Sequence, residues 1–114
     1  ISLYIEEEDT FRWRMNETLA VMLMTNLLKN AFVHNVDQGT IRIEISSSVV
    51  RFGNTGTEVS LDEKRIFERF YQGARKKEGS TGLGLAIVDA ICRQCGLTLR
   101  YQFTEGMHWF ELFR

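Results

Sequence analysis

Between Asn16 and Val33 the chain places Leu19, Leu23, Leu27 and Ala31 four residues apart. That spacing predicts a helix, and Asn16 is suited to cap its first turn. The pattern then changes period. From Thr40 to Ser46, Ile41, Ile43 and Ile45 alternate with Arg42 and Glu44, as in a strand buried on one face. Val49 to Phe52 predicts a second strand, with Ser46-Ser47-Ser48 as the turn between them and Gly39 as the turn before. Ser60-Leu61-Asp62-Glu63 has the form of a capping box and predicts a short helix to about Phe70. Tyr71 to Thr81 is poor in apolar residues and predicts a mobile loop. Leu83 to Cys95 is apolar at helical spacing and ends at Gly96, a helix stop. Leu97 to Phe103 and His108 to Phe113 alternate again, joined by Thr104-Glu105-Gly106 as a hairpin. With Ile1 to Glu7 as a weakly alternating edge strand, the order is strand, helix, hairpin, short helix, loop, helix, hairpin. It predicts an α+β, two-layer sandwich with helices on one face of the sheet.

Composition narrows the class. The chain has 114 residues, a formal net charge of -1, 44% hydrophobic and 25% charged residues. This fits one folded domain and excludes a disordered chain. Balanced charge excludes the basic footprint that nucleic acid requires. No apolar run approaches the roughly 20 residues that span a bilayer, and no secretory signal is present. The first residue is Ile1 rather than Met, from which the chain is expected to be a piece of a longer one. Cys92 and Cys95 form a C-x-x-C late in a helical stretch. A redox pair belongs at a helix start and zinc needs more ligands, so both are expected to be reduced thiols in a cytosolic setting.

Four features carry candidate chemistry. Asn26 and Asn30 lie four apart on an otherwise apolar helix, and His34 extends the stripe. They are either a surface or mutually bonded pair, or a polar stripe facing a ligand; an amide oxygen suits Mg²⁺. Gly53-Asn54-Thr55-Gly56 follows a strand and is either a simple turn or a close backbone approach to a planar ligand. Gly79-Ser80-Thr81-Gly82-Leu83-Gly84 opens the second long helix, whose N-terminal N–H groups suit an anion such as phosphate. It is neither a Walker loop nor a dinucleotide fingerprint. Arg75-Lys76-Lys77 is either a solvated charge run or a clamp over that anion. His108 is expected to be a packed strand histidine.

In this order the features resemble the ATP-binding catalytic domain of sensor histidine kinases, in the GHKL superfamily, over essentially the whole chain. Asn26-Leu27-Leu28-Lys29-Asn30-Ala31 is similar to the N box, and Asn54-Thr55-Gly56 to the G1 box. Ile66 to Tyr71 is similar to the F box, and Gly79 with Thr81 to Leu85 to the G2 box. The resemblance implies the Bergerat ATP-binding fold, with a mixed β-sheet and helices on one face, as a single domain over residues 1–114. It implies ATP and Mg²⁺ as cofactors. Asn30 would ligate the metal, and Asn26 would contact phosphate or metal-bound water; these two are the candidate catalytic residues. Asn54 would hold the adenine amino group, with Gly56 beside it. Thr81, Gly82, Leu83 and Gly84 would border the triphosphate. His34, Arg69, Arg75 and Lys76 complete the binding set, the last two within a lid formed by Tyr71 to Thr81.

The sequence departs from the family pattern in places. Asn54 stands where Asp is usual, Glu58 where a second Gly is usual, and Val33 where a Lys or Arg is usual. Asn54 is expected to weaken adenine binding by about 1–2 kcal/mol. At Asn26, relatives that activate water or serine carry Glu; an amide cannot act as a base, and an imidazole acceptor needs none. The resemblance therefore implies γ-phosphoryl transfer from Mg-ATP to a histidine on a separate upstream dimerisation domain, and then a response-regulator receiver domain as partner. No nucleic acid or direct membrane contact is implied, and the domain would be the cytoplasmic part of a membrane-bound sensor. Neither His34 nor His108 has the setting of the acceptor. The alternative is a regulatory module of the same fold that binds nucleotide without catalysis.

Overall fold

A computed structural model describes residues 1–56, Phe67 and 83–114. Seven elements follow one another: β1 (Ser2–Glu7), α1 (Glu17–Val33), β2 (Thr40–Ile45), β3 (Val49–Thr55), α2 (Gly84–Cys95), β4 (Thr98–Thr104) and β5 (Met107–Phe113). The strands form one five-stranded sheet in the order β1-β2-β3-β5-β4. β1 runs parallel to β2, and the remaining pairs are antiparallel, so the sheet is mixed. The expected α+β architecture is therefore present. The helix expected from Ser60 and the loop from Tyr71 to Thr81 lie outside the described residues, apart from Phe67. Among the described residues no helix is long and apolar enough to cross a membrane.

Local chemistry fixes the ends of both helices. The Asn16 side chain accepts from the N–H groups of Thr18 (2.8 Å) and Leu19 (3.2 Å), which are orphan donors of the first turn of α1. Gly96 closes α2 in the left-handed conformation (φ 83°), which a side chain would resist. The Trp13 indole donates to the Cys95 carbonyl (2.9 Å) and ties the approach to α1 onto the last turn of α2. The β4–β5 turn has positive φ at both Glu105 and Gly106, the geometry that matches the twist of a two-residue hairpin.

The register sets the core. Val50, Phe52 and Asn54 of β3 lie opposite Leu112, Phe110 and His108 of β5. Ile45, Ile43 and Ile41 lie opposite the same β3 residues from the other side. Leu23 and Leu27 of α1 and Val88 and Ile91 of α2 pack onto Val50, Phe52, Phe110 and Leu112 to make one cluster. The Phe67 ring meets Phe110 edge-on, with centroids 6.3 Å apart.

β5 departs from simple alternation. His108 to Leu112 are all buried. The reason lies on the face away from the helices. Glu111 pairs there with Arg51 (2.7 Å) and accepts from Gln102 (2.8 Å), while the Arg51 guanidinium lies 4.1 Å from the centre of the Trp109 ring. Central position and this cross-strand network cover both faces, which the alternating pattern alone cannot show.

Candidate nucleotide site

Helix packing assembles the first part of the site. α1 lies against α2, and this brings Asn26 to Gly84. A methyl group added at Gly84 would sit 3.3 Å from Asn26 Oδ1. The Asn26 amide nitrogen donates to the Met22 carbonyl one turn back (2.7 Å), so its oxygen is the group turned toward α2. Leu83 is the N-cap of α2 and provides no side-chain cap, and the first turn has no acidic residue. No acidic side chain of that first turn compensates the positive end of the helix, which lies beside an amide oxygen and a glycine.

Asn30 sits one turn further along α1. Its Nδ2 is buried and has no hydrogen-bond partner among the described residues. A buried amide left in this way costs about 1–3 kcal/mol, which an oxygen ligand or phosphate would recover. His34 does not continue the helix as the stripe implied. α1 ends at Val33, and His34 is the C-cap, its N–H donating to the Asn30 carbonyl (3.1 Å). Its own carbonyl faces Gly56: an added methyl there would lie 3.3 Å from that oxygen.

The second part is the end of β3. The sequence pattern ends the second strand at Phe52 and leaves Gly53 to Gly56 after it, as either a simple turn or a close backbone approach to a planar ligand. The strand instead runs through Thr55, and Asn54 is paired with Ile41 on one side and His108 on the other. Gly53 permits this because the Trp109 indole lies where its side chain would be, 2.6 Å from an added methyl. Asn54 is only 1% exposed. Its Nδ2 donates to the Thr55 carbonyl (3.0 Å), while its buried Oδ1 has no partner among the described residues. The bond to Thr55 decides which end of the amide is left available, and it is the acceptor.

Beneath Asn54 lies a polar network that the sequence did not reveal. The Thr55 hydroxyl donates to Asn35 Oδ1 (2.5 Å), Asn35 Nδ2 donates to the Thr40 carbonyl (3.1 Å), and the Thr40 N–H donates to the Thr55 hydroxyl (2.8 Å). This ties the segment after α1 to both β2 and β3. Asn35 adjoins His34 and follows the N-like stretch, a position that could have drawn notice as a polar residue beside an apolar helix end.

The site's neighbours are therefore continuous: Gly84 meets Asn26, Asn30 follows one turn on, and His34 meets Gly56 beside Asn54. Of the expected set, Asn26, Asn30, His34, Asn54, Gly56, Leu83 and Gly84 lie on this path. Arg69, Arg75, Lys76, Thr81 and Gly82 lie outside the described residues. Among the described residues no three His, Cys, Asp or Glu side chains converge as a metal site. A cation here would rest on amide oxygens, water and phosphate, a set that suits Mg²⁺. The two cysteines are elsewhere. Cys92 is buried, and burial first, then Cys95 and Asp89, push its thiol up to about 12. It has no nucleophilic character near neutral pH.

Comparison with known proteins gives the family and the fold. The family model described as histidine kinase-, DNA gyrase B-, and HSP90-like ATPase matches residues 15–113. The sensor histidine kinase RppB of Synechocystis is 32% identical over 99 residues, covering 80% of this chain and 22% of its own. Among solved structures, the mycobacterial sensor histidine kinase MprB superposes with a TM-score of 0.82 at 20% identity, covering 96% of this chain and 81% of that one. Full-length ShkA in complex with AMPPNP superposes with a TM-score of 0.65 at 26% identity, covering 96% of this chain and 25% of that one. The chain spans about a fifth of the length of the curated relatives it matches.

Proposed function

The chain belongs to the histidine kinase-, DNA gyrase B- and HSP90-like ATPase family, and on that premise we propose that it binds Mg-ATP and presents the γ-phosphoryl group to a histidine on a separate dimerisation domain. The observation that carries this reading is the pair of buried, unsatisfied amide groups, Asn30 Nδ2 and Asn54 Oδ1, on one continuous path with Asn26 and the α2 N-terminus. Asn54 Oδ1 accepts from the exocyclic amine of adenine. The Asn30 and Asn26 amides hold the metal and its water, and the first turn of α2 receives phosphate oxygens. When bound, Mg²⁺ neutralises charge on the triphosphate. Neither amide removes a proton; the chain positions the phosphate, and the acceptor imidazole attacks with its own lone pair. The bond from phosphorus to the ADP oxygen breaks, and a nitrogen–phosphorus bond forms. Arg69, Arg75 and Lys76 belong to this proposal as cations over the phosphates. A response-regulator receiver domain is the onward partner, and the chain acts as the cytoplasmic part of a membrane-bound sensor.

Calorimetric titration with ATP, with and without Mg²⁺, tests the binding. We expect Mg-dependent affinity in the native chain. Asn30→Ala should abolish the Mg-dependence with an unchanged circular dichroism spectrum. No binding at millimolar nucleotide by a folded chain overturns the proposal, and unchanged affinity in Asn30→Ala removes Asn30 from it. Mixing the chain with its upstream dimerisation domain and labelled ATP tests the transfer. Binding without acid-labile phosphate on that domain would leave a regulatory nucleotide module instead.

A further inference from the structure

Thr55 is the last residue of β3 and stands between Asn54 and Gly56. Toward β5 it still pairs, with Met107. Toward β2 the paired ladder stops one residue earlier, at Ile41 opposite Asn54. Beyond that point a side chain takes over. The Thr40 N–H donates to the Thr55 hydroxyl (2.8 Å), and the hydroxyl gives its own hydrogen to Asn35 Oδ1 (2.5 Å). A hydroxyl has one hydrogen and two lone pairs, so it serves as acceptor and donor at once. Gly39 leaves room for this, because a methyl added there would collide with the Thr55 hydroxyl and Asn35 Oδ1. On the main chain of the same residue, the Thr55 carbonyl accepts from Asn54 Nδ2 (3.0 Å). Thr55 therefore carries both the tie to β2 and the bond that turns the Asn54 amide.

We propose that Thr55 is a positioning residue for recognition of the base: its hydroxyl fixes its own carbonyl, and the carbonyl fixes which end of the Asn54 amide a nucleotide meets. This rests on the nucleotide reading of the same site. An amide, unlike a carboxylate, has one donor end and one acceptor end, and turning it over inverts what it selects. Asn54 Oδ1 is buried and has no partner among the described residues, so the bond from Nδ2 to the Thr55 carbonyl sets the sense of the amide. With the acceptor presented, the exocyclic amine of adenine is bonded. Valine has the shape of threonine without the hydroxyl. In Thr55→Val the Thr40 N–H and Asn35 Oδ1 lose their bonds to this side chain, and the end of β3 is released on its β2 side. The peptide unit after residue 55 can then tilt, its carbonyl leaves Asn54 Nδ2, and the amide loses its fixed sense. Serine keeps the hydroxyl and with it both bonds.

The test compares ATP with purine riboside triphosphate, which carries hydrogen where adenine has its amine, by calorimetry with Mg²⁺ on the full 114-residue chain. In the native chain we expect ATP to bind about three- to tenfold more tightly, the worth of one hydrogen bond between neutral groups. In Thr55→Val that ratio should fall to within about twofold of unity through weaker ATP binding, while the affinity for purine riboside triphosphate stays within about twofold of native. Thr55→Ser should keep most of the native ratio. Far-ultraviolet circular dichroism and the urea midpoint establish that each variant is folded, and Thr55→Ala takes the place of Thr55→Val if the latter is not. A native ratio in the folded variant that lacks the hydroxyl overturns the inference. So does equal weakening of both nucleotides, which reports general loosening, and so does a Thr55→Ser chain that behaves like Thr55→Val. Failure of both Thr55→Val and Thr55→Ala to fold also overturns it, because the hydroxyl then serves stability alone. A native chain that binds both nucleotides equally removes the Asn54 contact with the amine and this inference with it, but leaves nucleotide binding standing. If the native chain binds neither, the nucleotide reading itself falls.

Discussion

Gly53→Ala isolates one claim about how the site is built. In an ordinary strand this change is favourable, because glycine loses more backbone freedom on folding; the gain is about 0.5–1 kcal/mol. Here the new methyl would lie 2.6 Å from Trp109 Cε3 and Cζ3 and 2.8 Å from Cδ2. Ordinary carbon contacts need about 3.5–4.0 Å, so the indole must move by roughly 1 Å. It cannot do so alone, because Arg51 stacks on it at 4.1 Å and is bonded to both Glu44 and Glu111. Overpacking of this kind costs about 1–3 kcal/mol. The net expectation is a loss of about 0.5–2 kcal/mol, or roughly 2–8 °C in Tm. Urea unfolding followed by far-ultraviolet circular dichroism measures it, with the midpoint lowered and the slope unchanged. The Trp109→Leu background supplies the control: without the indole, Gly53→Ala should become neutral or stabilising. Stabilisation by Gly53→Ala in the native background, or an equal loss in both backgrounds, would refute the packing argument.

Two further outcomes are expected. Asn16→Ala should cost about 1 kcal/mol by exposing the Thr18 and Leu19 N–H groups at the start of α1, seen as a lower urea midpoint, whereas Asn16→Asp should hold stability. Cys95 should alkylate before Cys92 at pH 8, read by mass spectrometry. Stability should also fall as pH rises from 9 towards 12, because the unfolded thiol of Cys92 ionises near 9 and the folded one only at about 12; a Cys92→Ala chain should lack that component of the decline.

Much of the fold was written locally. The four-residue spacing from Leu19 to Ala31, the Asn16 cap, the Gly96 stop and the Glu105-Gly106 turn are short-range signals, and each element formed where its signal stood. The order of the N-like, G1-like, F-like and G2-like stretches also sufficed to identify the family, because that order is a one-dimensional property. Tertiary structure decided the rest. The β3–β5 pairing joins two hairpins far apart in the chain, and periodicity within a strand does not say which strand it will meet. That pairing carried β3 past its apolar run, so Asn54 became a buried strand residue. It set Trp109 over Gly53 and His108 beside Gly56. The orientation of the Asn54 amide follows from the Thr55 carbonyl next to it. Residue types alone name a polar group; only packing from both sides decides which of its atoms is left for a ligand.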